Sequence, residues 1–274
     1  MVHYSSSSFY LQKKAFGAFS QIKIGTMVEP TLTVEGLTKS FGGVVATNQL
    51  DFEIKLGEIH AIIGPNGAGK TTLVALISGM LSPESGRIQF LGKDITRETV
   101  ANRSRLGLAR SFQITSIFKK FDALSNVALS IQAHQGHSFH FWKNASNDPK
   151  LIEPAQEILQ RVGLGKRSRI IAGNLAHGEQ RQLEIAMALA TKPKLLLLDE
   201  PTAGMGAEDS DRMRKFLETL KGKISMLLIE HDMDTVFSLA DRVTVLVYGK
   251  VIGTGTPEEI RKNADVKAAY LGED

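Results

Sequence analysis

The strongest chemical signal in this chain is GPNGAGKTT, Gly64 to Thr72. It fits the pattern G-x-x-x-x-G-K-S/T and stands between a short apolar run, IHAIIG, and an apolar helical stretch, TTLVALISGML. Glycines at this spacing let backbone N–H groups wrap a polyphosphate, and a helix starting there adds positive potential. Gly64, Pro65, Asn66, Gly67, Ala68 and Gly69 form the wrapping loop. Lys70 can reach the β- and γ-phosphates, Thr71 can place its hydroxyl on Mg²⁺, and Thr72 can touch the α-phosphate.

A nucleotide loop needs a second metal group and usually a base, and LLLLDEP offers both. Asp199, at the end of a buried strand, can hold hydrated Mg²⁺. Glu200 has the chemistry to orient or deprotonate a water that attacks the γ-phosphate. Acidic residues often end strands in α/β proteins, so the phosphate loop upstream is what makes this pair functional. Together they predict hydrolysis rather than transfer to a small acceptor.

The stretch NLAHGEQRQLEIAMALA, Asn174 to Ala190, reads as a helix whose start is bare. Ala176, His177 and Gly178 stand where Ser, Thr, Asp or Asn usually caps. Either an external anion caps it or Asn174 or a water does.

These residues need a scaffold, and the rest of the chain describes one. At 274 residues with 42% hydrophobic content, the chain is long enough for one large α/β domain or for one domain with a helical appendage. It has no cysteine, which rules out a disulfide framework and Cys-based zinc. No apolar run reaches the roughly 18 residues of a membrane span, so a link to a membrane would run through a partner. Three of the net four positive charges are Lys13, Lys14 and Lys23 in residues 1–26, which leaves the body near +1. That balance argues against a nucleic-acid partner. Residues 1–30 read as a loosely ordered extension, with Met27 as a natural start.

Beyond it, TLTVEGL and ATNQLDFEIKLGE read as antiparallel strands and RIQFLGKDI as one exposed-edge strand. The runs KLLLLD, SMLLIE and RVTVLVYG alternate with helices, as strands of a parallel sheet covered on both faces do. DALSNVALSIQAH and PKLIEPAQEILQRVGL read as helices of a more polar insertion. Thr256-Pro257-Glu258-Glu259 is a capping box.

At this point the chain resembles the ATP-binding cassette (ABC) ATPases from about residue 31 to its end. LAHGEQRQ takes the place of the family signature, Leu-Ser-Gly-Gly-Gln, and LLLLDEP that of its Walker B segment. Gln113 in ARSFQ matches the Q-loop glutamine, His231 in IEHD the switch histidine, and Phe41 in KSFGG the adenine-stacking aromatic. The resemblance implies an α/β P-loop core with an antiparallel β subdomain and an inserted α-helical subdomain at about 115–190, all within 31–274. It implies ATP and Mg²⁺ as cofactors, with Glu200, His231, Gln113 and Lys70 catalytic and Thr71, Gln113 and Asp199 on the metal. It also implies a dimer with a like subunit, in which Ala176, Gly178 and Glu179 face the γ-phosphate on the partner's loop. That would account for the bare helix start. Ala176 for serine, His177 for glycine, Glu179 for glutamine and Gly206 in the D-loop depart from the family pattern.

LARSFQ, AGM and the ending VKAAYLGED look like ATPases of branched-chain amino-acid importers, whose relatives serve urea and amides. That implies integral-membrane permeases as partners at the cytoplasmic face of the membrane, and a substrate-binding protein indirectly. Gln113 to Phe121 is the stretch expected to touch the permease. A lipopolysaccharide-export cassette is the alternative within transport; a non-transport ABC ATPase or a P-loop kinase is the alternative outside it. His134, His137 and His140 have a metal-like spacing, but no carboxylate or cysteine lies near them in sequence.

Overall fold

Runs of leucine and isoleucine decide the centre of the fold, in a computed structural model that describes residues 29–111, 117–135 and 148–268. Six strands form one sheet: β3 (Ile59–Ile63), β6 (Leu108–Arg110), β7 (Leu195–Asp199), β8 (Ser225–Ile229), β9 (Arg242–Val247) and β10 (Lys250–Gly255). Their order is β10-β9-β3-β8-β7-β6, parallel except for the β10 edge. Alternate residues of these runs enter two different cores. Leu196 and Leu198 of β7 and Met226 and Leu228 of β8 face one core; Leu195, Leu197, Leu227 and Ile229 face the other. Both faces are dry, which is why the sequence shows runs instead of alternation.

The second core is closed by an antiparallel sheet in the order β2-β1-β4-β5. It comprises β1 (Leu32–Phe41), β2 (Val44–Ile54), β4 (Ser85–Phe90) and β5 (Lys93–Asp94). Helix α1 (Lys70–Ser78) lies in this core through Leu73, Val74, Leu76 and Ile77. On the opposite side α3 (Ala123–Gln135), α4 (Pro149–Arg161) and α5 (His177–Ala190) pack on one another. Their residues Val127, Leu159 and Leu183 join the first core, as do Met213 and Val236 of α6 (Ala207–Glu218) and α7 (Met233–Leu239). The capping box at Thr256 starts α8 (Pro257–Lys262) as the sequence predicts.

The structure corrects one expected strand. RIQFLGKDI turns back at Leu91 and Gly92, which take φ of 50° and 74°, so it makes two strands. A two-residue turn with positive φ twice suits the twist of a hairpin. Among the elements with no counterpart in the sequence reading are α2 (Val100–Leu106), β6 and β10.

Helix α2 explains a buried charge. Arg103 is 1% exposed, and its guanidinium donates to Leu76 O at 2.6 Å, Ile77 O at 2.7 Å, Thr96 O at 3.0 Å and Glu98 O at 3.0 Å. Leu76 and Ile77 end α1, where carbonyls have no partner within the helix. Arg103 therefore caps the far end of the helix that carries Lys70. Burial pushes its pKa down, and Glu98 opposes that. Replacing it removes a donor from four carbonyls, of which Leu76 O keeps the Gly79 N–H at 3.2 Å, so Arg103→Met is expected to destabilise the fold by about 3 kcal/mol or more. A thermal melt within a degree of the unsubstituted protein would contradict this role.

Candidate nucleotide site

The loop after β3 is pressed between the two sheets. A β-carbon on Gly64 would stand 2.1 Å from Leu246 O of β9, and one on Gly69 would stand 2.1 Å from Ala46 O of β2. Both glycines also take positive φ, 155° and 101°. Side chains are excluded there by space and by backbone at once. Ala68 is buried, its N–H donating to Pro65 O at 3.1 Å, while Asn66 and Gly67 are exposed at the loop's crest.

Gly69 precedes α1 with no side-chain cap, and the first turn holds no acidic residue. The helix thus presents unpaired N–H groups and positive potential, a fit for phosphate oxygens. Lys70 Nζ donates to Gly64 O at 2.6 Å and Pro65 O at 3.0 Å, folded back over its own loop. Burial lowers its pKa, while Glu200 and Asp199 pull it upward. The hydroxyls of exposed Thr71 and half-buried Thr72 have no hydrogen-bond partner among the described residues.

Asp199 ends β7 in the same region, 2% exposed, and burial raises its pKa against the pull of Arg110. Glu200 follows at φ 49°, a left-handed backbone for a non-glycine residue. Its N–H is held by Ile229 O at 2.9 Å. His231 Nδ1 lies 3.7 Å from Glu200 Oε1 and 3.9 Å from Glu230 Oε2. The donors are oxygens of a hydroxyl and a carboxylate, the set hydrated Mg²⁺ takes beside a nucleotide. No cluster of three metal-type side chains occurs among the described residues. His134 lies in α3, and His137 and His140 fall outside the described residues, as does Gln113.

Phe41, at the end of β1, is 48% exposed, with Lys39 Nζ 5.5 Å from its ring centroid. It pairs with Val44, two residues before the Ala46 carbonyl that meets Gly69, so the hairpin tip borders the loop.

Ala176, Gly178 and Glu179 lie elsewhere. No hydrogen bond or ion pair among the described residues joins them to their own loop. The start of α5 packs instead on 204–209: His177 against Gly204, Gly178 against Met205 and Asp209. Glu179 Oε2 accepts the Ala176 N–H at 2.9 Å, and its Oε1 pairs with Arg167 at 2.6 Å. The N–H groups of His177, Gly178 and Glu179 have no acceptor among the described residues, and no bond from the Asn174 side chain caps them.

Three charged residues of the site escape the sequence reading. Arg181, 1% exposed, bonds Glu184 Oε2 at 2.9 Å and the carbonyls of Asp199 and Glu200 at 3.4 Å each. Glu230 is 1% exposed; it accepts from the N–H and hydroxyl of Thr202 and from His231 N–H. Arg110 pairs with Asp199 at 3.2 Å. The one available signal is position: Arg110 stands inside ARSFQ, Arg181 inside LAHGEQRQ and Glu230 inside IEHD.

Because α5 lacks an N-cap acceptor, Ala176→Ser is expected to stabilise the nucleotide-free protein by about 1 kcal/mol. That corresponds to a rise of roughly 2–4 °C in Tm. An unchanged melt would mean those N–H groups are already satisfied.

Comparison with known proteins agrees with this geometry. The ABC transporter family matches residues 47–203, and the branched-chain amino acid ATP-binding cassette transporter family matches residues 250–274. The high-affinity branched-chain amino acid transport ATP-binding protein BraF of Pseudomonas aeruginosa is 37% identical over 254 residues, 90% of this chain and 100% of its own length. LivG of Escherichia coli, with the same description, is 36% identical over 256 residues, again 90% and 100%. A nucleotide-free ATP-binding cassette from an ABC transporter superposes with a TM-score of 0.77 at 30% identity, covering 89% of this chain and 100% of that one. A cassette in its ADP conformation gives 0.78 at 30% identity, with the same coverage. With a family match over more than half of its length and relatives at 36–37% identity, the chain belongs to the ABC transporter family as an ATP-binding cassette.

Proposed function

We propose that this cassette is the ATPase subunit of an importer for branched-chain amino acids or a related small amide. It works as a dimer with a like cassette, a copy or a paralogue, against separate membrane permeases fed by a substrate-binding protein. The observation that carries this reading is the likeness to BraF and LivG over 90% of this chain and all of theirs, together with the family match at 250–274. Nothing comparable favours export.

In this reading residues 31–274 are the cassette, 115–190 its helical subdomain and 1–30 an extension. Phe41 stacks on adenine. Lys70 exchanges its loop carbonyls for the β- and γ-phosphates, and the free N–H groups of α1 bind their oxygens. Thr71, Asp199 and Gln113 would hold Mg²⁺, whose chemistry there is charge neutralisation at the phosphates. Glu200 takes or orients the proton of the attacking water. His231, 3.7 Å from Glu200, can hold that carboxylate in place or reach the γ-phosphate. Ala176, Gly178 and Glu179 present their N–H groups to the nucleotide on the partner's loop.

A cavity of about 260 Å³ between α3 and α4 supports docking of a permease segment on the helical layer; Phe121, Ala128, Leu129, Leu151 and Ile152 line it. Phe121 is 47% exposed and its ring lies 5.8 Å from that of Phe118, 55% exposed, both within the stretch expected to touch the permease. No helix among the described residues is long and apolar enough to cross a membrane, which fits attachment to the cytoplasmic face through partners.

Glu200→Gln is expected to cut ATP turnover roughly a hundredfold or more while ATP still binds, since Lys70 and the metal-side oxygens remain. Turnover at the unsubstituted rate would remove Glu200 from the role of base. Lys70→Ala should instead weaken ATP binding itself; unchanged affinity by calorimetry would count against the loop as the phosphate site. The cargo is tested in proteoliposomes holding the assembled transporter. ATP-driven uptake of leucine, isoleucine or valine is expected, and uptake of urea alone would move the protein to the amide branch.

A further inference from the structure

Arg110 ends β6, at the edge of the parallel sheet, and its guanidinium reaches two other elements. Nη2 donates to Asp199 Oδ2 at 3.2 Å, at the end of β7. Nη1 donates to Ser78 Oγ at 3.2 Å and lies 3.1 Å from Met80 Sδ, at the end of α1. The Arg110 and Asp199 side chains are 10% and 3% exposed, so water and salt screen this pair far less than a surface pair.

The placement has a geometric consequence. The terminal torsion of an aspartate is broad and leaves its two oxygens interchangeable unless a neighbour chooses between them. Here Arg110 takes Oδ2, and Oδ1 has no hydrogen-bond partner among the described residues. The same guanidinium grips α1, the helix that carries Thr71. Asp199 and Thr71 come from different elements, and Arg110 is a direct side-chain tie between those elements. An ammonium has the charge but lacks the planar fork that spans both contacts.

We propose that Arg110 is a positioning residue for the metal: it holds Asp199 by Oδ2, fixes β7 against α1, and so keeps Oδ1 and the Thr71 hydroxyl in register for Mg²⁺. This rests on the reading of Asp199 as the metal-side acid.

The test uses the full-length subunit in a Glu200→Gln background, with ATP and Mn²⁺ as the probe. Mn²⁺ binding is read by paramagnetic resonance, and ATP affinity in EDTA by calorimetry. Arg110→Met is expected to weaken Mn²⁺ binding about tenfold or more while ATP affinity in EDTA stays within about twofold, as for other outer-shell partners of a metal site. Arg110→Lys should fall between. Unchanged Mn²⁺ affinity in Arg110→Met overturns the proposal, and so does an equal loss of ATP binding in EDTA, which would make Arg110 a prop of the loop. If Arg110→Met does not fold, Arg110→Lys decides by the same two measurements. An Asp199→Asn arm separates the premises: if it leaves Mn²⁺ binding intact, the reading of Asp199 fails, whatever Arg110 does.

Discussion

Two carbonyl oxygens govern the nucleotide loop. Leu246 O belongs to the parallel sheet and Ala46 O to the antiparallel one, and between them they leave no room for a side chain on Gly64 or Gly69. The loop is therefore shaped by the meeting of the two sheets as much as by its own sequence. Backbone N–H groups can face a polyphosphate only because that meeting holds the chain where it would not otherwise rest. The lower end of the same helix is held as firmly, by Arg103 on the carbonyls of Leu76 and Ile77. A helix anchored at both ends makes Lys70 and Thr71 fixed points for the rest of the site.

Charge is distributed around those points with little access to water. Asp199 and Glu230 are buried, and each is met by dedicated donors: Arg110 on the first, Thr202 and a backbone N–H on the second. Arg181 holds the carbonyls of Asp199 and Glu200 from α5, so that helix and the acidic pair at the end of β7 touch within one chain. Such networks are stable only when their members are satisfied, and they hold side chains in single orientations. Glu200 and His231 are the more accessible members, at 27% and 66% exposure, which fits the roles proposed for them.

Much of this is legible in the sequence, for physical reasons. A phosphate loop needs glycines at fixed spacing, so Gly64 to Thr72 declares itself. Strands dry on both faces need apolar runs, so β7, β8 and β9 do too. What stays hidden is the charge that works in the interior. Arg103, Arg110 and Arg181 sit in polar stretches where an arginine reads as surface, and only the fold reveals the carbonyls and carboxylate they meet. Short elements are lost for a related reason. The three residues of β6 are too few to show a period, and they become a strand through pairing with Leu195 to Leu197, far along the chain. The turn at Leu91 is missed because leucine carries no signal for a left-handed backbone.

That backbone has a different meaning at Glu200. Among the described residues, five other than glycine take positive φ, and Glu200 alone of them follows the buried Asp199. A left-handed conformation costs a side-chain-bearing residue on the order of 1–2 kcal/mol relative to its relaxed backbone. Glycine would adopt it freely, and the fold would gain from the exchange. If Glu200 serves as the base proposed above, folding and turnover pull this position in opposite directions: a glycine there would relax the backbone and remove the carboxylate that turnover needs.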